Sequence, residues 1–475
     1  MSILKYNGEL FVNNELVNID DYFNRNLYEN AISISKELEE FKSPFINNIF
    51  LSFIHNKYLP YLRLIIDENI NHINIDSIDE EALFLISASK NCNVKIDLNR
   101  LHLFFYGKKL LILSLWKLVK YYFGTIFLLI RDLFKDKSDY DKKNIPVFIN
   151  SATSYKVFSQ YLCNSLNKYN FFLDIFTVKT SNIKSSYTPL TVHITPVNII
   201  IVMLYVLFNS IKEYILLYKE LRNIFGNNSL YSPLSFSAER ISHYFLNKFA
   251  IEKIFKKGNY KVVYSGEKES RWGLIIDDNC KRNGVRSICI PHGLHYGLKF
   301  PHSIFGDEVQ CFSENEKNSL INSYSSKIVK YNRELPEKLF SYNYPKNNDE
   351  KRIVFFTEGR DFQKDETIIN YLLKNFKSIY IKLHPNDNIS RYNFQSKNYT
   401  ILTDFVQSIS NNICIARNST VLFEALYNNS KSFSVLINPK DHYYSEYMYP
   451  TLSDDRITKV FSLEALVNQI NKVKN

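Results

Sequence analysis

From residue 352 onward the chain alternates short apolar runs with stretches of helical spacing, and this rhythm restricts the fold more than any other feature. RIVFF at 352–356 precedes a helical pattern over 364–376. SIYIKL at 378–383, YTIL at 399–402 and NICIA at 412–416 follow, then a helical pattern over 420–428 and SFSVLI at 432–437. Short apolar runs without alternation are strands buried on both faces, and strands separated by helices make βαβ units in a parallel sheet. The rhythm also occurs earlier: KVVYS at 261–265, a helical pattern over 271–283, and RSICI at 286–290 ending at Pro291. Segment 79–98 reads as helix then strand, and IPVFI at 145–149 followed by a helix over 153–167 is a further unit. The expected class is therefore α/β with parallel sheets. The polar segment 325–350, with Pro345 and Asn347 near its end, marks a boundary between domains 1–340 and 341–475. Segment 461–473 reads as a last amphipathic helix, started by Ser462 and Glu464 and able to cross back to the first domain.

The 475 residues leave room for roughly two to four domains. A hydrophobic content of 45% beside 23% charged residues excludes a disordered or collagen-like chain. Lys+Arg 59 against Asp+Glu 48 gives +11. Phe 36 and Tyr 34 beside Gly 12, with many Asn, Ile and Lys, point to an AT-rich coding bias as the source of much of that charge. The lysines are spread and no binding motif accompanies them, so no nucleic-acid partner is expected. Cys92, Cys163, Cys280, Cys289, Cys311 and Cys414 include no CxxC pair, which reads as reduced core thiols in a cytoplasmic protein. The N-terminus MSILKYNGELF lacks a basic region leading into an apolar one, so a secretory signal is not expected.

Two apolar segments interrupt the first domain, 101–135 and 195–221. Lys108, Lys109, Lys117, Lys120 and Arg131 break the first below the roughly 20 apolar residues of a span, and Lys212 and Glu213 end the apolar part of the second. Buried helices and a true span are two readings. The third is an interfacial surface, favoured because Tyr, Trp and Lys are mixed along 106–122. It places the protein in the cytoplasm, peripherally on the inner face of the cytoplasmic membrane.

Four polar motifs follow predicted strands, and strand C-terminal ends are where ligands sit in open α/β sheets. Pro291-His292-Gly293-Leu294-His295-Tyr296-Gly297 comes after 286–290. Its glycines let backbone approach an anion, and His292 can donate to a phosphate or an acceptor hydroxyl; a tight turn is the alternative. Thr357-Glu358-Gly359 ends strand 352–356, where a carboxylate suits a general base or, alternatively, a helix start. In His384-Pro385 the proline biases the histidine to extended backbone, aiming an imidazole out of the sheet edge to hydrogen-bond or protonate a leaving phosphate. Asn418-Ser419-Thr420, with Glu424 one turn on, opens a helix after strand 412–416. Its hydroxyls and free N–H groups suit an anion without a metal, or ordinary capping. Asp277-Asp278 falls inside a predicted helix and Asp454-Asp455 in a late loop, so neither metal nor cofactor is expected.

In its order the set resembles the GT-B glycosyltransferases of bacterial surface polysaccharides, especially sialyltransferases and polysialyltransferases that use CMP-activated acidic sugars. That family carries (Asp/Glu)-(Asp/Glu)-Gly, then His-Pro, then Ser-Ser or Ser-Thr. Thr357-Glu358-Gly359 is similar to the first, with threonine for the first acid; His384-Pro385 matches the second and Ser419-Thr420 the third. Phe423-Glu424-Ala425-Leu426 is similar to a stretch of capsule Kdo transferases. The resemblance covers residues 260–440 and hardly touches the first 250. It implies two Rossmann-like domains facing a cleft, with Glu358 as the base on the acceptor hydroxyl and His384 on the departing CMP phosphate. Ser419 and Thr420 would hold that phosphate, with Gly359, Pro385, Asn418 and Glu424 beside them. His292, Gly293, Glu267 and Glu269 would stand on the acceptor side, the last two as alternative bases. The implied reaction is metal-independent, inverting transfer of sialic acid, a related nonulosonate or Kdo from a CMP-sugar donor. The acceptor would be a glycan or lipid-linked glycan of capsule, O-antigen or lipooligosaccharide synthesis. CDP-glycerol phosphotransferases share the His-Gly turn, the His-Pro turn and the serine pair in the same order. Glycerophosphate transfer is therefore an alternative, as is a UDP- or GDP-sugar donor on the same fold.

Overall fold

In the computed structural model, residues 2–133, 145–162, 168–174, 187–291, 293–342, 351–359, 362–385, 387–394 and 398–474 are described. His292, Cys163 and the boundary residues Pro345 and Asn347 lie outside them. The chain forms two compact units. The first comprises Met1–His292, Lys299–Val309 and Ser326–Ile328; the second comprises Gly293–Leu298, Gln310–Ser325 and Val329–Asn475.

The N-terminal sheet is mixed. Its strands β1 (Ser2–Tyr6), β2 (Leu10–Val12), β3 (Glu15–Val17), β4 (Ile70–Ile75) and β5 (Lys95–Leu98) lie in the order β3-β2-β1-β4-β5. The expected helix-then-strand at 79–98 is present as Glu80–Asn91 and β5, capped by Asp79, whose carboxylate accepts from the Ala82 N–H at 2.8 Å. The sheet itself was not anticipated.

A seven-stranded sheet follows: β6 (Ile145–Ile149), β7 (Tyr169–Leu173), β8 (Thr188–Pro189), β9 (Val262–Ser265), β10 (Arg286–Cys289), β11 (Glu308–Cys311) and β12 (Ile328–Tyr331). Their order is β12-β11-β10-β9-β6-β7-β8. The chain thus builds outward from β6 in one direction and from β9 in the other, which makes the β6/β9 junction a topological switch point. The long apolar segments are helices α1 (Arg100–Leu133) and α2 (Ile199–Ser229), which pack with α3 (Tyr231–Lys257). α2 is interrupted at Gly226, where φ of 73° suits glycine. Helix α4 (Arg271–Asn283) has the bounds its sequence predicts; Ser270 caps it and Gly284, at φ 61°, ends it.

The six parallel strands of the second unit are β13 (Ile353–Phe356), β14 (Ile379–Lys382), β15 (Tyr399–Leu402), β16 (Ile413–Ala416), β17 (Lys431–Val435) and β18 (Ile457–Val460). They lie in the order β15-β14-β13-β16-β17-β18, with the switch point between β13 and β16. β13 and β16 are buried at every residue, as their unbroken apolar runs require. Helix α5 (Phe362–Asn375) buries Ile368, Ile369, Leu372 and Leu373 against this sheet. The helical pattern over 420–428 resolves into α6 (Val421–Ala425) and a 3-10 turn, Leu426–Asn428. α7 (Leu463–Lys474) begins where Ser462 Oγ accepts from the Ala465 N–H at 3.1 Å. The architecture is therefore α/β, with a Rossmann-like parallel sheet in each half of the chain.

Candidate active site

At the β13/β16 switch point of the second unit, the loops after two adjacent strands meet. Thr357, Glu358 and Gly359 leave β13, and Arg417, Asn418, Ser419 and Thr420 leave β16. Arg417 is 2% exposed and is the hub. Its Nη2 donates to Glu358 Oε2 at 3.1 Å, its Nη1 to Asp441 Oδ2 at 3.4 Å, and its Nε lies 3.1 Å from Asp365 Oδ1. Glu358 Oε1 accepts from the Asn418 N–H at 2.9 Å, and the Asn418 amide donates to Asp441 Oδ1 at 3.2 Å. Asp365, in the first turn of α5, also accepts from the Glu358 N–H at 2.9 Å. One guanidinium therefore serves three carboxylates. Burial pushes the Asp365 carboxyl up to about 7, with the Arg417 charge pulling the other way.

A second chain of bonds joins the β13 and β14 loops. The His384 N–H donates to Thr357 Oγ1 at 2.9 Å, and that hydroxyl donates to Asp387 Oδ2 at 2.7 Å. Asp387 also accepts from the Tyr392 hydroxyl. Burial and Asp387 together hold the Tyr392 hydroxyl in its protonated form, well above its ordinary range. His384 and Pro385 are exposed. Gly359 has φ of 70°, and a Cβ there would stand 3.4 Å from His384 Nδ1, so the loop approaches the imidazole closely where glycine is favoured.

Thus Glu358, Gly359, His384 and Asn418 come together, with Pro385 on one side and Ser419 and Thr420 continuing from Asn418. Ser419 Oγ accepts from the Val421 N–H at 3.4 Å, whereas the Thr420 side chain makes no capping bond. α6 is five residues long, so its dipole is small and any anion would rest on hydroxyl and N–H donors. Glu424 is half-buried on α6, and together with burial it raises the Tyr342 hydroxyl. Gly293 belongs to the second unit, beside His295, whose N–H donates to Glu316 at 2.6 Å in a buried, structural role. In the sequence Arg417 opens the Asn418-Ser419-Thr420 motif without an assigned role, and Asp365 and Asp441 carry no site signal. The available signal was an arginine directly after a wholly apolar strand.

Glu267 and Glu269 lie in the first unit. Glu267 follows β9 and accepts from Ser270 Oγ at 2.6 Å; the Glu269 carbonyl accepts from the Asn47 amide at 3.0 Å. Glu267 lines a small cavity at the β6/β9 switch point, with Asn150, Asp174, Asn247 and Trp272. Asp174 follows β7 and is 2% exposed. Its Oδ1 meets His243 Nε2 at 2.8 Å and its Oδ2 accepts from the Asn247 amide at 2.8 Å. Asn247 Oδ1 is buried without a partner among the described residues. Arg271 opens α4, its guanidinium carbon 4.6 Å from the centre of the Trp272 ring; burial and Arg240 lower it to about 10. His243 Nε2 also lies 3.2 Å from the Asn247 amide nitrogen, so Asp174, His243 and Asn247 form one polar cluster. The acidic pairs set aside from the sequence are held internally: Asp277 by Lys281 at 2.6 Å and Asp454 by Arg456 at 2.8 Å.

No protein-family model matches the chain. An uncharacterized protein of Methanocaldococcus jannaschii is 25% identical over 221 residues, which are 40% of this chain. The chain covers 39% of that relative's length. The UDP-GlcNAc 2-epimerase of Methanocaldococcus jannaschii is 11% identical in a superposition covering 70% of this chain and 94% of that one, with a TM-score of 0.41.

Proposed function

We propose that the protein is a metal-independent, inverting glycosyltransferase that moves an acidic sugar from a CMP-sugar to a glycan acceptor. The observation that carries this reading is the bonding of the three motif loops to one another at the ends of β13, β14 and β16. In this reading His384, exposed and fixed through Thr357, hydrogen-bonds or protonates the departing phosphate. The hydroxyls and backbone N–H groups of Ser419 and Thr420 hold that phosphate. Glu358 keeps a second lone pair on each oxygen beyond its bonds to Arg417 and Asn418, and so can still receive the acceptor's hydroxyl proton. Glu267, beside the Asp174–His243 pair, is the alternative base.

The test is CMP release from CMP-N-acetylneuraminate and CMP-Kdo, with and without a glycan acceptor. His384→Ala should lower turnover about 100-fold or more while leaving the unfolding midpoint unchanged, because the side chain is exposed. Full activity in that variant refutes the assignment. Thermal stabilisation by CDP, UDP or GDP in place of CMP would reassign the donor, with CDP pointing to glycerophosphate transfer.

A further inference from the structure

We propose that α1 and the first half of α2 form a docking face for an anionic lipid leaflet, lying along the bilayer surface and not crossing it. Among the described residues, eleven exposed large hydrophobic side chains fall on α1 and seven on 197–215, far more than on any other part of the chain. Ile112, Trp116, Phe123 and Phe127 on α1, with Ile201 and Phe208 on α2, are each 61–67% exposed. Spacings of four and seven residues put each set on one helix face.

The two helices run antiparallel. The Tyr122 hydroxyl donates to the Met203 carbonyl at 3.3 Å, and Ser114 Oγ meets the Tyr214 hydroxyl at 2.6 Å. Residues 112–130 therefore lie alongside 197–211, giving one apolar zone about 27 Å long at 1.5 Å per residue. Lys108, Lys109 and Lys120 on α1 and Lys212 and Lys219 on α2 are exposed. The only acid on α1, Asp132, and Glu213 on α2 are buried, while Glu220 is bound to the Lys42 and Ser43 N–H groups. The face thus presents cations and apolar groups and almost no exposed acid.

That composition selects the occupant. A second copy of this face would oppose lysine to lysine, whereas anionic headgroups complement the lysines as the aromatic and aliphatic side chains enter the acyl boundary. Both helices are long and apolar enough to cross a bilayer, but what packs behind them opposes a crossing. α1 lies along α3, where Lys117 is paired with Glu239 at 2.6 Å and where Arg240, Lys248, Glu252 and Lys253 follow. Burying that helix in hydrocarbon would take several charges with it. Only one side of the pair is available to lipid.

The experiment is co-sedimentation of the full chain with phosphatidylcholine vesicles, with and without phosphatidylglycerol. Binding should be at least about tenfold tighter with phosphatidylglycerol and weaken as salt rises. Trp116→Ser/Phe123→Ser/Phe208→Ser should lose about tenfold or more in binding at an unchanged unfolding midpoint, since all three side chains point away from the core. Trp116 is also a reporter, because the other tryptophan, Trp272, is buried. Its emission should shift to the blue on vesicles, and the shift should vanish in Trp116→Ser. Unchanged binding of the triple variant overturns the proposal. So does a lipid-free dimer that the same substitutions dissolve, or resistance of the native protein to alkaline extraction from membranes.

Discussion

Arg417→Met tests whether one buried guanidinium organises the candidate site, and the outcome depends on pH. The substitution keeps the volume but removes the guanidinium that Glu358, Asp365 and Asp441 share. Breaking a buried pair from one side costs about 3–5 kcal/mol. In the native protein the Asp365 carboxyl sits at about 7, above its unfolded value, so the folded state favours its protonated form. Its contribution to stability is fully present below the unfolded value and is lost as pH rises through 7. Arg417 opposes that rise; without it the folded value climbs further and the loss on the alkaline side grows. The destabilisation should therefore approach its full size near pH 8. Near pH 5.5, where Asp365 is already protonated, it should be smaller by roughly 1–2 kcal/mol, a tenfold change in proton affinity being worth about 1.4 kcal/mol. Urea unfolding followed by circular dichroism at both pH values measures this, with the slope m checked for constancy. A loss below about 1 kcal/mol at the higher pH would show that Arg417 does not hold the cluster. Equal losses at the two pH values would remove Asp365 as its titrating member.

Three further outcomes follow from the same geometry. Glu213, buried on α2 and accepting from Ser43 Oγ at 2.7 Å, is pushed up to about 7 by burial. Glu213→Gln should raise stability near pH 8 by up to about 3 kcal/mol and leave it unchanged near pH 4, where the glutamate is neutral; a pH-independent effect contradicts this. Thr357→Val removes the two hydroxyl bonds that tie Thr357 to the His384 turn and should lower turnover about tenfold or more, whereas Thr357→Ser should restore it; loss in both variants would point to packing instead. Asp174→Ala strips the Asn247 amide and His243 of their shared acceptor and should cost about 2–3 kcal/mol, read as a lowered midpoint that Asp174→Asn partly recovers.

Legibility of the fold follows burial. β13 and β16 could be read from the sequence because strands covered at every residue are unbroken apolar runs, and β14, β15 and β17 because short β-branched or aromatic stretches stand between helices and turns. The N-terminal sheet escaped because its strands are short and half-exposed, as in β3, where no residue is buried. One signal there went unused. ELFVNNELV holds two Asn residues between candidate strands, and Asn13 and Asn14 adopt φ of 52° and 71°, the paired positive values of a two-residue hairpin turn. At the site, His384, Glu358 and Asn418 were legible because each lies just beyond the end of a strand. Asp365 and Asp441 were not, since in sequence each is an ordinary acid in the first turn of a helix, and only tertiary packing brings both to Arg417.

The threonine at 357, which departs from the acidic pair of the resembled motif, has a physical account in these bonds. Its hydroxyl accepts from the His384 N–H and donates to Asp387, two roles that an ionised carboxylate cannot combine because it has no proton to give. A carboxylate at 357 would also stand against Asp387, near Glu358 and Asp365, where three acids already share the Arg417 guanidinium. The threonine thus links the Asp387 carboxylate to the His384 N–H. On this reasoning Asp387→Asn should be tolerated better than Thr357→Asp, because the amide oxygen still accepts from Thr357, whereas the second change adds an unpaired charge to a crowded, partly buried loop. The comparison is made on the unfolding midpoint, and the reverse order would show that the turn is held by something other than this link.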